Sequence, residues 1–271
     1  MYNSPVLIPV KISEMLYERI VPIESAKCIE LSACLESSED SINNMEEYLV
    51  KFREMLVILN KNPHTMLNEQ PLFKWHDRNS ACWKFEEHRI LHTLHEMLIY
   101  KAKILFGKCE YKQAKVHLSR ATDVCKEMLQ LKWFKTPLVL SMPELQTEYL
   151  LALLFRTKGT YCFNMHMFKT SPAVAKMAYK FVELSNAMWK KGSSKNYENK
   201  LKAHYHHAVA STSDDFKETI SHSTAAIELH DDPKMKEDHE TWLNRNNTVH
   251  FETPEPVECG VFTLERALQV V

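Results

Sequence analysis

Apolar positions recur at helical spacing along most of this chain. Ile42, Met45, Leu49, Phe52, Met55, Leu56 and Leu59 share one helical face, with Ser41 placed to cap its start and Asn60-Lys-Asn-Pro63 to stop it. Val6-Leu-Ile-Pro-Val10 reads as an edge strand or extended lead-in, because Pro9 removes a ladder donor. Residues 13–35 read as helical on both sides of Pro22. Residues 64–82 read as an irregular link, with Pro71-Leu-Phe-Lys-Trp75 as a short strand.

From Trp83 the pattern predicts a long helix to Phe106, a turn at Gly107 and a return helix to about Leu131. Ser141-Met-Pro-Glu144 has a capping-box spacing with proline in the first turn, which predicts a helix from there to about Met167. Ser171-Pro172 opens another, expected to end near Gly192, and residues 196–211 and 215–230 form a further pair. Asp232-Pro233 starts a short last helix to about Asn246. Beyond it the periodicity ends in an extended tail, 247–271, apolar enough to be expected to pack on the helices, with a helical turn at 261–270.

One unit recurs within this pattern. Aligning Tyr111 with Phe216 places His117 on His222 and Ala121 on Ala226, each preceded by a helix with small residues facing its partner. Helix, tight turn, aromatic wedge and returning helix are the grammar of tetratricopeptide-like arrays, which present surfaces to other proteins. The intervening units match poorly, so the expectation is an irregular helical scaffold. Without a linker rich in Gly, Ser or Pro, residues 1–271 read as a single domain.

Composition narrows the function. Glycine occurs only four times, at Gly107, Gly159, Gly192 and Gly260, which favours helix over sheet and open loop. It also excludes the phosphate-binding and dinucleotide glycine loops and the hydrolase nucleophile elbow. A net charge of −1 gives no global attraction to nucleic acid. The seven cysteines are scattered without a C-x-x-C pair, as expected for reduced thiols in a cytoplasmic protein. No apolar run reaches the roughly 18 residues of a membrane span.

Candidate chemistry is sparse. His88, His92 and His95 share one helical face with Glu96 nearby, a spacing that could surround zinc, although such histidines more often pack. His204, His206 and His207 cluster in sequence but must point in different directions on a helix. No serine or cysteine pairs with a base by sequence logic, and Glu46/Glu47 and Glu86/Glu87 read as exposed positions. Lys190-Lys191 with Lys200 and Lys202 offer a modest basic spot for phospholipid heads or an acidic partner, though a solvated turn is the commoner outcome. Residue 2 is tyrosine and the last residues are Gln-Val-Val271, so neither myristoylation nor prenylation is expected. The chain is therefore expected to be no enzyme, to take no metal or cofactor, and to meet membranes only peripherally or through a partner.

Pro71-Leu-Phe-Lys-Trp75, Phe85-Glu86, the Ala102–Ala121 hairpin, Ser141-Met-Pro-Glu-Leu145, Ala203-His-Tyr205-His followed by Phe216 and Ala226, and Asn246-Asn-Thr-Val-His250-Phe-Glu252-Thr-Pro254 follow one another along the chain. Taken together, these segments resemble the Alix-like Bro domain family of the ESCRT pathway. The turn before Phe216 departs from it, carrying Asp214-Asp215 where the family favours glycine.

The resemblance implies an all-α fold with at most a small N-terminal β element, a boomerang-shaped curved array of antiparallel helical hairpins. It implies a scaffold that docks the C-terminal amphipathic helix of an ESCRT-III subunit in an apolar groove, linked to membrane remodelling and endosomal association. The helix from Pro172 to Lys190 corresponds to the groove-bearing part. Its candidates are Phe181, Val182, Ser185 and Trp189, with Leu201 and Tyr205 on the next helix; the same stripe is also what a packed core face looks like. The alternative is a structural component of a larger assembly whose groove is degenerate.

Overall fold

The computed structural model describes residues 41–61, 73–75, 78–80, 82–192 and 194–244. The readings made above for 1–40, for 64–72 and for the tail 247–271 lie outside these residues. Almost all of the described chain is helical. In order, the elements are α1 (Ser41–Lys61), β1 (Phe73–Trp75), β2 (Arg78–Ser80), α2 (Trp83–Gly107), α3 (Tyr111–Gln130), α4 (Pro137–Ser141), α5 (Thr147–Phe168), α6 (Pro172–Met188), α7 (Lys195–Thr212), α8 (Phe216–Leu229) and α9 (Pro233–Asn244). Single 3-10 turns occupy Pro143–Leu145 and Lys190–Gly192.

The sequence reads as one domain; the described residues group into two compact units. The first comprises residues up to Lys101 with Asp123–Gln146, the second Ala102–Thr122 with Thr147 onward.

In the first unit, β1 and β2 form a two-stranded antiparallel ribbon with Phe73 opposite Ser80 and Trp75 opposite Arg78. Only the first strand is expected from sequence; Arg-Asn-Ser carries no β-prone side chain, and pairing alone makes it a strand. Period-two alternation puts Phe73 and Trp75 on the buried face, where they meet Phe85, Val139, Met142 and Leu145. Trp83 closes this cluster, its ring 5.2 Å from Phe73 and 6.0 Å from Phe52 of α1.

A buried charge network joins α1 to α2. Arg89 donates to both oxygens of Glu86 at 2.7 and 2.5 Å, and the Tyr48 hydroxyl donates to Glu86 Oε1 at 3.1 Å. Burial, and then the Glu86 charge, push the Tyr48 phenol well above its ordinary range, so it remains a donor. The sequence reading had Glu86 as a solvent-facing helix position; it is fully buried, because two donors satisfy its charge.

The turn at Gly107 differs from expectation. Glu110 N–H donates to Leu105 O and Cys109 N–H to Phe106 O, both at 2.9 Å, which is the Schellman pattern. The left-handed residue is Cys109, at φ 60°, while Gly107 remains within the helix. The helix predicted from Ser141 also starts elsewhere. Pro143 drives Met142 to extended backbone, φ −118° and ψ 104°, so one short helix ends before it and α5 begins only at Thr147.

In the second unit α5, α6, α7, α8 and α9 pack neighbour on neighbour in chain order. The links between them are as short as Lys169–Ser171. Ser171, Ser194 and Asp215 cap α6, α7 and α8 through their side-chain oxygens, and Asp232 Oδ1 accepts from Lys234 and Met235 N–H. Asp215 thus gives the departure from glycine a function: it accepts from Lys217 N–H at 2.8 Å. The α6 helix stops at Met188, short of the expected Gly192.

Small residues set the spacing of these helices. Ala203 and Ala226 are fully buried against Met235, as the recurrent hairpin predicts. Gly159 faces α6 so closely that a Cβ there would meet Val182 Cγ2 at 2.7 Å and Ala178 O at 3.0 Å.

Candidate functional site

The six residues implied by the resemblance lie on α6, just beyond its end, and on α7. Packing of α6 on both α5 and α7 decides their fate. Phe181, Val182 and Leu201 belong to the core of the second unit with Phe155, Cys162 and Tyr179, and the Phe155 and Phe181 rings stack at 6.1 Å. The Ser185 hydroxyl is buried and donates to Ala152 O at 2.7 Å, tying α6 to α5. These four side chains therefore present no open surface to a partner, correcting their placement in a groove. Trp189 and Tyr205 remain half-exposed. Trp189 meets Tyr149 edge-on at 5.5 Å, and Tyr205 lies 5.5 Å from Tyr179.

The apolar surface that α6 does leave half-exposed is one flank of the helix. Met177, Leu184 and Met188 recur at i, i+7 and i+11 and rest against the same core from its edge. Helical spacing alone indicates this row as readily as the buried one. Only the positions of α5 and α7 separate the two.

Charged side chains close the other side of the α6–α7 contact. Glu198 accepts from Lys202 at 2.7 Å, Lys195 at 2.9 Å and Asn186 at 3.0 Å. Burial alone would raise the Glu198 carboxyl, but these three hydrogen bonds outweigh it and hold it at about 2. Lys202 also reaches Glu183 at 3.5 Å, and Lys180 and Lys202 both lie over the Tyr179 ring, at 5.4 and 5.7 Å. Lys200 lies over Phe163 at 5.9 Å and Lys202 is engaged as above, so the basic spot expected around Lys190 and Lys200 is partly absorbed into packing.

The zinc spacing on α2 does not translate into ligands. His88 Nε2 bonds Glu144 O at 2.8 Å, and its Nδ1 accepts from Trp133 Nε1 at 3.3 Å. Both nitrogens are committed, and burial lowers the ring to about 4, so it is neutral. His92 and His95 are buried on the same face, with His92 5.3 Å from Trp75, and burial lowers His95 to about 4.

On α7 the three histidines diverge as a helix requires. His204 packs on Phe163 and His166, at 4.8 and 6.0 Å. His206 Nδ1 lies 2.8 Å from Nδ1 of His222 on α8. His207 Nε2 lies 2.9 Å from Asp238 of α9. Burial lowers His204 to about 3 and His206 to about 4, each reinforced by neighbouring positive groups, and burial also lowers His166 and His222. Ser223 Oγ meets His239 Nδ1 at 2.7 Å, and burial lowers that ring as well. The partners His166, Asp238 and His239 are absent from the sequence reading, which names His222 only as the counterpart of His117, since nothing local marks them.

Among the described residues no helix is long and apolar enough to cross a membrane. In comparisons with family models, with curated proteins and with solved structures, nothing matches this chain.

Proposed function

We propose that this chain is a non-enzymatic protein-binding scaffold of the Bro type, which holds an amphipathic helix of an ESCRT-III-like partner and acts in membrane remodelling. The observation that carries the reading is the half-exposed, apolar Met177–Leu184–Met188 row on a helix whose opposite face packs on α5 and α7. A guest helix with apolar residues at i, i+3, i+4 and i+7 would lay them along this row, with Trp189 and Tyr149 at one end. Methionine suits such a surface, because its unbranched chain adapts to the guest.

Titration calorimetry with a synthetic C-terminal helix of an ESCRT-III subunit tests this. Binding at about micromolar strength is expected, near 8 kcal/mol. Leu184→Asp is expected to weaken it more than tenfold while leaving the circular dichroism unchanged. Phe181→Asp reports only on the core and is expected to unfold the second unit. Undetectable binding by the wild-type chain would refute the reading. A concentration-dependent oligomer in light scattering would then favour the alternative, a component of a larger assembly.

A further inference from the structure

Between α3 and α4 of the first unit, one short segment places its side chains on two opposite sides. Trp133 turns inward, held by its bond to His88, and Lys84 Nζ lies over its ring at 5.2 Å while donating to Lys132 O. Thr136 accepts from Val139 N–H, and the Gln146 amide donates to Val139 O and Leu140 O. Val139 is buried in the aromatic core.

Trp133, Thr136 and Val139 beside it are thereby held, yet Phe134 itself is 87% exposed and Leu140 67% exposed. Pro137 between them is exposed too, and so are the flanking Lys132 and Lys135. No acidic residue occurs between Glu127 and Glu144, and Glu127 is already bonded by Arg53 at 3.2 Å.

We propose that this knuckle is a membrane-docking point: Phe134 and Leu140 enter the headgroup layer of an anionic bilayer, and Lys132 and Lys135 meet its phosphates. A pinned apolar tip inside a basic collar is the arrangement that interfacial binding uses, with apolar groups sunk about 5–10 Å and lysines kept at headgroup level. The surface is too small for a stable protein interface, which takes roughly 20–30 residues a side. Among the described residues Lys132 and Lys135 form no ion pair, and their charge is complementary to anionic lipid. The inference is independent of the helix-docking reading.

Co-sedimentation of the full chain with phosphatidylcholine vesicles, with and without phosphatidylserine, tests it. Binding is expected only with phosphatidylserine and is expected to weaken as salt rises. Phe134→Ser should lower the partition about tenfold or more with unchanged circular dichroism, Phe134→Trp should retain it, and Lys132→Gln with Lys135→Gln should abolish the preference for phosphatidylserine. Leu184→Asp should bind vesicles like the wild type. Failure of the wild type to sediment with phosphatidylserine vesicles, or wild-type binding by Phe134→Ser, would overturn the proposal.

Discussion

The two compact units solve the problem of a glycine-poor helical core in different ways. The first fills its interior with rings, Phe52, Phe73, Trp75, Trp83 and Phe85, and seats a buried carboxylate among them with a guanidinium and a phenol as donors. The second brings helices close over Gly159, Ala178, Ala203 and Ala226, and fills the seams between α5, α7, α8 and α9 with histidines. A ring-filled core holds fewer lowered histidines, His88 and His95, and depends on each member of its ion network. A closely spaced core tolerates the loss of single polar contacts but not added volume or added charge.

The largest test of that contrast is acidification. His166, His204, His206, His222 and His239 are all held below the ordinary histidine range, so the folded second unit favours their neutral forms. The unfolded chain binds more protons as pH drops below about 6.5, so stability is complete above that value. It is lost progressively toward pH 3–4, where His206 and His204 themselves protonate. Glu218 opposes this at His222 and Asp232 at His204, while Lys202 and Lys200 reinforce it. The first unit has fewer such rings, so amide exchange between pH 7 and 4 should accelerate in α7–α9 before α2. Equal acceleration in both would erase the distinction.

Next in size is Glu86→Ala. It leaves Arg89, whose side chain is 6% exposed, without its bidentate partner, at a cost of about 3–5 kcal/mol in urea unfolding. A change below about 1 kcal/mol would mean that the network contributes little.

The α-helical periods were legible because the helices of both units bury one face, and the helix starts at Ser171 and Asp232 could be read directly. What stayed hidden were the relations across elements. The row Phe181, Val182, Ser185 reads identically as groove or core, and only packing of α6 on two helices makes it core. His222 and Asp238 become partners of α7 through folding alone. Pro143 misled because a proline that opens an α-helix and one that opens a lone 3-10 turn look alike in sequence.

The smallest of these tests is Gly159→Ala. Alanine favours helix by about 1 kcal/mol over glycine, but the Cβ would press on Val182 and on the immovable carbonyl of Ala178. A net loss of about 1–2 kcal/mol is expected, partly recovered by adding Val182→Ala, which removes one of the two collisions. Net stabilisation would show that α5 and α6 have room to separate.

Cys109 and Lys132 both hold left-handed backbone, at φ 60° and 31°. With glycine so scarce, the chain carries a conformational debt of roughly 1 kcal/mol at each bend. Cys109→Gly should therefore yield a sturdier molecule that has lost an oxidisable, solvent-facing thiol while keeping its bend. Handling and labelling of the protein can exploit that position without disturbing either hydrophobic interior.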